Sequence, residues 1–181
     1  MKPLPLLALL PLALCSVLPT QAFEHEPTGL GLSLSDDFVV DENVRQTPEY
    51  TVLVGVRSAS APEEPHLCLV GLLESDINQG LTQKEINIIA ATAEFGAQVR
   101  EALSSIMTID YMEAATADGI HGLEIFVRPN LGPEGENIRS VLTLLDIPAG
   151  RITVSCATTA DRLDAMLPSF RTIREGVIAP R

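Results

Sequence analysis

Acidic side chains are concentrated in the first third of the predicted mature chain, and they are the residues whose chemistry is easiest to interpret. Residues 23–76 contain 11 acidic residues against two basic ones, Arg45 and Arg57. Carboxylate oxygens are the ligands that hard cations such as Ca²⁺ or Mn²⁺ prefer. The acidic residues of this segment lack the spacing and the glycine of an EF-hand loop, so the alternative is that they form a solvated acidic face. The candidate metal ligands are Asp36, Asp37, Asp41 and Glu42.

The histidines do not form a recognisable motif. His25, His66 and His121 lie too far apart in sequence to match a metal-binding pattern. A Ser or Cys nucleophile needs a base and an orienting acid, and the chain has no G-x-S-x-G signature. We therefore predict no catalytic or cofactor-binding residue and a protein that is not an enzyme. A small hydrolase is the third hypothesis, and it requires a pocket where a histidine approaches a Ser or a carboxylate.

The N-terminal residues have the composition of a secretory signal peptide. Lys2 precedes a mostly apolar run over residues 4–18, and Ala22 is the small residue before the expected cleavage. The run is shorter than the ~20 apolar residues of a spanning helix. We expect residues 1–22 to be removed and the mature chain, without a transmembrane segment, to be periplasmic or secreted.

The cysteines also indicate export. Cys15 lies in the signal segment, where an alternative is lipidation, although the bulky Leu14 before it fits a lipoprotein box poorly. Removal of that segment leaves Cys68 and Cys156, and an even number in an exported chain favours one disulfide. The alternative is two buried free thiols.

Charge and length limit the classes of function. The formal net charge is −12, so nucleic acid and anionic membranes are repelled. Residues 23–181 are enough for one domain with a sizeable core, and residues 23–28 are expected to be a flexible acidic lead.

Alternating apolar residues predict strands before and after a polar stretch. Residues 30–34 read as a short half-buried strand, and residues 36–49 as a loop. Residues 50–57 and 66–74 are rich in strand-forming types and should form an antiparallel hairpin.

After residue 74 the spacing of the apolar residues changes from the period of a strand to that of a helix. Thr82 and Glu85 form a capping-box pattern that starts a long middle helix. Its apolar stripe comprises Ile86, Ile89, Ala90, Ala93 and Ala97.

Two further strand pairs follow, one turning at residues 117–119 and one at residues 147–150. In the last strand Cys156 shares a face with Ile152 and Val154, as Cys68 does with its apolar neighbours. The two sulfurs can therefore meet if these strands are neighbours.

A C-terminal helix closes the chain. We expect Thr158 to cap it near Thr159 and Pro168 to kink it or to start a second segment. Arg162, Arg171 and Arg174 should occupy its polar face. The core-facing stripe is Leu163, Met166, Leu167, Phe170, Ile173 and Val177.

Residues 150–178, GRITVSC followed by the helix DRLDAMLPSFRTIREGV, resemble the C-terminal signature of the PsbP-like superfamily, which includes PsbP, DcrB and LpqN-type domains. The matching positions include Gly150, Arg151, Asp164, Pro168 and Phe170. The resemblance implies an α+β fold, with a twisted antiparallel sheet on which the long middle helix and the C-terminal helix pack. It also implies a family that is chiefly non-enzymatic.

These observations favour an exported, non-enzymatic accessory or binding module for another envelope protein. The alternative is a protein that binds a small ligand or a divalent cation in the groove between sheet and helix.

Overall fold

A computed structural model describes residues 21–181. The predicted signal segment before residue 21 and the alternative lipidation at Cys15 lie outside the described residues. The helices are α1 (Gln83–Ala90), α2 (Ala93–Ser104) and α3 (Leu163–Glu175). The strands are β1 (Gln21–His25), β2 (Leu30–Leu34), β3 (Phe38–Asp41), β4 (Val52–Ser58), β5 (Cys68–Glu74), β6 (Met107–Ala117), β7 (Ile120–Pro129), β8 (Ile138–Ile147), β9 (Gly150–Thr159) and β10 (Val177–Ile178).

Seven of these strands form one antiparallel sheet in the order β3-β4-β5-β9-β8-β7-β6, and three form a smaller sheet in the order β1-β2-β10. The smaller sheet and α3 pack on one face of the large sheet, where Leu32, Val154 and Phe170 belong to the main core. Helices α1 and α2 cover part of the other face, where Phe95 packs against Ile125 in a second core. The architecture is the α+β arrangement predicted from the sequence, with the small second sheet added to it.

Several local predictions are confirmed. Strands β4 and β5 pair as an antiparallel hairpin. The Thr82 hydroxyl accepts a hydrogen bond from the amide of Glu85, whose carboxylate accepts one from the amide of Thr82, as a capping box requires. The turn between β6 and β7 consists of Asp118 and Gly119, both with positive φ, which is typical of a tight two-residue hairpin turn.

Two N-terminal segments that were predicted to lack regular secondary structure contain strands. Residues 21–25 form β1 and pair with β2, so residues 23–28 are not simply a flexible lead. The half-buried Phe23 packs against the main core and fixes this strand. The expected cleavage after Ala22 falls within β1, of which a chain starting at Phe23 would retain three residues. Strand β3 interrupts the predicted loop over residues 36–49 because it pairs with β4.

The predicted long middle helix is divided in two. Thr92 has an extended backbone, and its side chain accepts a hydrogen bond from the amide of Phe95, so it starts α2 as a new N-cap. Of the predicted stripe, Ala93 and Ala97 after the break are exposed, and so is Ile89 in α1.

The predicted cap of the C-terminal helix is wrong. Thr158 belongs to β9, which pairs with β8 as far as Thr159, and α3 begins only at Leu163. Pro168 lies inside a continuous α3.

The two cysteines form a disulfide. Cys68 and Cys156 face each other across β5 and β9, and their sulfurs are 2.01 Å apart. Each cysteine was predicted to lie on the apolar face of its strand, so the two sulfurs could meet. The pairing of β5 with β9 brings them together. Among residues 21–181, every helix is too short or too polar to cross a membrane.

Candidate functional site

The four candidate metal ligands do not form a site. Asp36 and Asp37 lie in the turn before β3, whereas Asp41 ends that strand and Glu42 follows it, exposed. Within residues 21–181 no three His, Cys, Asp or Glu side chains are grouped so that they could hold a metal ion.

Asp41 already has protein partners. Its Oδ2 accepts hydrogen bonds from Arg57 Nη2 at 2.7 Å and from His66 at 2.9 Å. The ring of His66 reaches it by lying over β4 at Gly55, where a Cβ would be 2.2 Å from the ring. Hydrogen bonds from His66, Asn43 and Arg57 lower the pKa of Asp41 to about 2.

The other histidines have separate roles. His25 Nδ1 lies 2.9 Å from the Thr28 hydroxyl, and the backbone of His121 donates to Asn87. In the described part of the chain, four surface cavities have no histidine in their lining. The pair of His66 with Asp41 lies outside these four cavities and is shared with Arg57.

A buried carboxylate joins α3 to the large sheet. The Glu124 side chain on β7 is 2% exposed, yet it accepts from Arg174 Nη1 at 2.6 Å and from Arg171 Nη2 at 2.6 Å. Arg171 also pairs with Glu113 on the neighbouring strand β6. Arg174 was predicted to lie on the polar face of α3, and the structure shows that this part of the face is largely buried against the sheet. A hydrogen bond to Glu124 and partial burial raise the pKa of Glu113.

Glu124 is not among the residues predicted from the sequence, although a signal was present. Glu124 stands in the strand segment LEIFV, where Leu123 and Ile125 are apolar on one strand face and Phe126 is apolar on the other. A strand that is apolar on both faces is buried on both, and a buried acid needs a basic partner. The pair of arginines three residues apart on α3 could have been proposed as that partner.

Strand β6 forms a long open edge of the large sheet. This 11-residue strand is last in the large sheet and pairs only with β7. The two-residue turn makes Ala117 and Ile120 a hydrogen-bonded pair, so alternate residues of β6 direct their N–H and C=O groups away from β7. These residues are Met112, Ala114 and Thr116. No hydrogen bond within residues 21–181 reaches their outward backbone groups.

A shallow groove runs beside this edge between α2 and β6. Its volume is about 830 Å³. Small and apolar side chains form most of it, and we call it the β6–α2 groove. It is lined chiefly by Ala93, Gly96 and Ala97 of α2, Met112 and Ala114 of β6, and Leu123 of β7.

A second cavity, of about 490 Å³, lies near the C-terminus. Ile120, Ile147 and Pro180 contribute apolar walls, and Asp118 and Gln83 contribute polar groups. The Asp118 carboxylate accepts a hydrogen bond from the backbone of Ala179, which ties the end of the chain to the β6–β7 turn.

Comparison with models of protein families gave no match, and comparison with curated proteins gave none either. Among solved structures, cyanobacterial PsbP (CyanoP) from Synechocystis sp. PCC 6803 is similar with a TM-score of 0.51 and 14% identity, over 94% of this chain and 98% of that one. This similarity confirms the predicted PsbP-like fold.

Two further structures resemble the chain. LpqN of Mycobacterium tuberculosis, involved in cell envelope biogenesis, has a TM-score of 0.49 and 12% identity over 89% of this chain and 90% of that one. A protein of unknown function, PA94 of Pseudomonas aeruginosa, has a TM-score of 0.45 and 8% identity over 89% and 96% of the two chains.

Proposed function

We propose that this chain is an exported, non-enzymatic accessory protein that binds another envelope protein through the β6 edge and the β6–α2 groove. The observation that carries the proposal is the open edge of β6 beside an apolar groove. Unpaired strand edges are natural templates for association, and proteins usually cover or shorten them. Here an 11-residue edge is kept, with small residues next to it.

Export is supported by the signal-like N-terminal sequence and by the disulfide, which is typical of oxidising compartments. Intact mass after envelope isolation, with thiol alkylation before and after reduction, tests this part. We expect a chain that starts at Phe23 and whose Cys68 and Cys156 react only after reduction. A lipid on Cys15 or two freely alkylated thiols would contradict it.

The binding role is tested by photo-crosslinking in the producing cell. A photoreactive amino acid at the exposed Ala97 should give a discrete crosslinked species, because this position lines the groove. The matched control places the same group at Ala165, an exposed position on α3 across the sheet. Equal crosslinking from both positions, or none from Ala97, would contradict a partner at this surface.

A second candidate function is the binding of a small ligand in the cavity near Asp118. Its apolar walls, with the Asp118 carboxylate and the Arg181 guanidinium 3.7 Å from it, suit a mostly apolar molecule with one polar group. Native mass spectrometry of the isolated protein should then show a bound mass that Asp118→Asn loses.

A further inference from the structure

We infer that the occupant of the β6 edge is an extended segment of the partner protein, which adds to the large sheet as an antiparallel strand. The inference rests on the binding role proposed above and names the kind of partner that the surface fits. The outward backbone groups of Met112, Ala114 and Thr116 offer three donors and three acceptors in a row. Only another extended backbone matches that pattern.

The regular part of the edge sets the length of the added strand. The register of β6 with β7 shifts between Ile109 and Tyr111, so the regular edge covers residues 111–117. An added segment of about seven residues would pair with it.

The two faces of the edge set the side chains of that segment. Side chains on the helix side would enter the β6–α2 groove, whose walls at Gly96 and Ala97 leave room for branched apolar residues. On the other side they would meet Tyr111, whose side chain is 47% exposed, and Glu113. Tyr111 stacks on Phe126 with ring centroids 4.0 Å apart, which provides a fixed platform for an added neighbour.

Charge favours a basic segment over a second copy of this chain. Glu94 and Glu101 are exposed on α2 and outnumber the one exposed cation there, Arg100, and none of the three forms an ion pair within residues 21–181. The formal net charge of −12 would repel another copy and attract Lys or Arg. The expected segment therefore alternates small branched apolar residues with polar or basic ones.

Backbone geometry makes the inference testable. In antiparallel addition, residues directly opposite Met112, Ala114 and Thr116 have side chains on the groove side and direct their N–H groups to β6. The probe is the blocked peptide Thr-Val-Lys-Val-Thr-Val-Lys, with valines on one face. One isomer is N-methylated at the three valines, and a second, with the same number of methyl groups, at both lysines and at the threonine that lies between two valines.

Amide chemical shifts of the isotope-labelled full mature chain report both location and affinity. We expect the parent peptide to perturb the amides of Met112, Ala114 and Thr116. Methylation at the valines should weaken binding about tenfold or more, because it removes the hydrogen bonds to β6, whereas the second isomer should bind within about threefold of the parent. Ala97→Gln should also weaken binding, and Ala165→Gln should not.

The outcomes separate this inference from the proposed function. If both isomers bind like the parent while Ala97→Gln still weakens binding, strand addition is overturned but the surface remains a binding site. A loss confined to the second isomer also overturns antiparallel addition. If the parent peptide leaves these three amides unperturbed at millimolar concentration, the inference fails, whereas the crosslinking from Ala97 still decides the proposed function.

Discussion

Replacing Glu124 by glutamine should be among the most destabilising isosteric changes in this protein. The substitution keeps the shape of the side chain and removes its charge. It leaves the Arg174 side chain, which is 11% exposed, without its buried anionic partner and with Glu175, which is 63% exposed, as the remaining one. Within the described structure Arg174 Nε is already a buried donor without a hydrogen-bond partner, so the exposed Glu175 is the main compensation left to the guanidinium.

The expected cost follows from the burial of the pair. Removing one partner of a buried ion pair typically costs about 3–5 kcal/mol. Arg171 is 39% exposed and keeps Glu113 as a partner, so it recovers hydration and part of its pairing. We therefore expect the low end, about 3 kcal/mol of unfolding free energy. For a chain of this size that corresponds to a fall in Tm of roughly 6–12 °C.

Denaturant-induced unfolding with matched variants is the assay. The control is Asp110→Asn, which breaks the pair with Arg128 on the same two strands, where both side chains are more exposed. That change should cost less than about 1 kcal/mol. Glu124→Leu combined with Arg174→Met should recover much of the stability, because it removes both buried charges. A cost for Glu124→Gln no larger than that of Asp110→Asn would refute the reasoning.

Three further predictions concern stability. Because the pKa of Asp41 is lowered to about 2, its contribution is present above the unfolded value of 3.8 and is lost as pH falls through about 2. The unfolding free energies of the parent and of Asp41→Asn should therefore converge as pH is lowered from 4 to 2, and a constant difference would contradict this. Cys68→Ala with Cys156→Ala should cost about 4 kcal/mol, measured by urea unfolding, because the bridged residues are 88 positions apart; a cost below about 1 kcal/mol would contradict it. Thr82→Ala should cost about 1 kcal/mol in the same assay through loss of the capping box, whereas Thr108→Ala, on the exposed edge strand, should cost less.

Local features of the fold were predictable because their causes are local. The capping box at Thr82 needs only four residues, and the turn at Asp118 and Gly119 needs two. The disulfide could be predicted from the expected export and from the apolar strand face that each cysteine occupies. That β5 and β9 are neighbours is known only from the structure. A strand's face can be predicted from its own residues, whereas its neighbours in the sheet depend on the whole chain.

The wrong predictions concern residues whose conformation is determined by partners far away in the sequence. Strand β3 is short and polar at its end, and it exists because β4 offers it hydrogen bonds. Thr158 has a good capping side chain, yet pairing with Arg139 on β8 holds it in β9. Glu124 could not be matched to its arginines from local sequence because they lie 47 and 50 residues away. In each case tertiary contacts outweighed local propensity.

Tertiary contacts also explain why the β6 edge is suited to binding. Asn87 of α1 accepts from the amide of His121 and donates to the carbonyl of Gly119, which anchors the turn at one end of β6. Near its middle, Arg171 pairs with Glu113 and so ties the edge to α3. A strand held in this way loses little conformational entropy when a partner adds to it, so more of the interaction energy becomes affinity. The buried charge network thus stabilises the fold and also holds the edge in the extended form that strand addition requires.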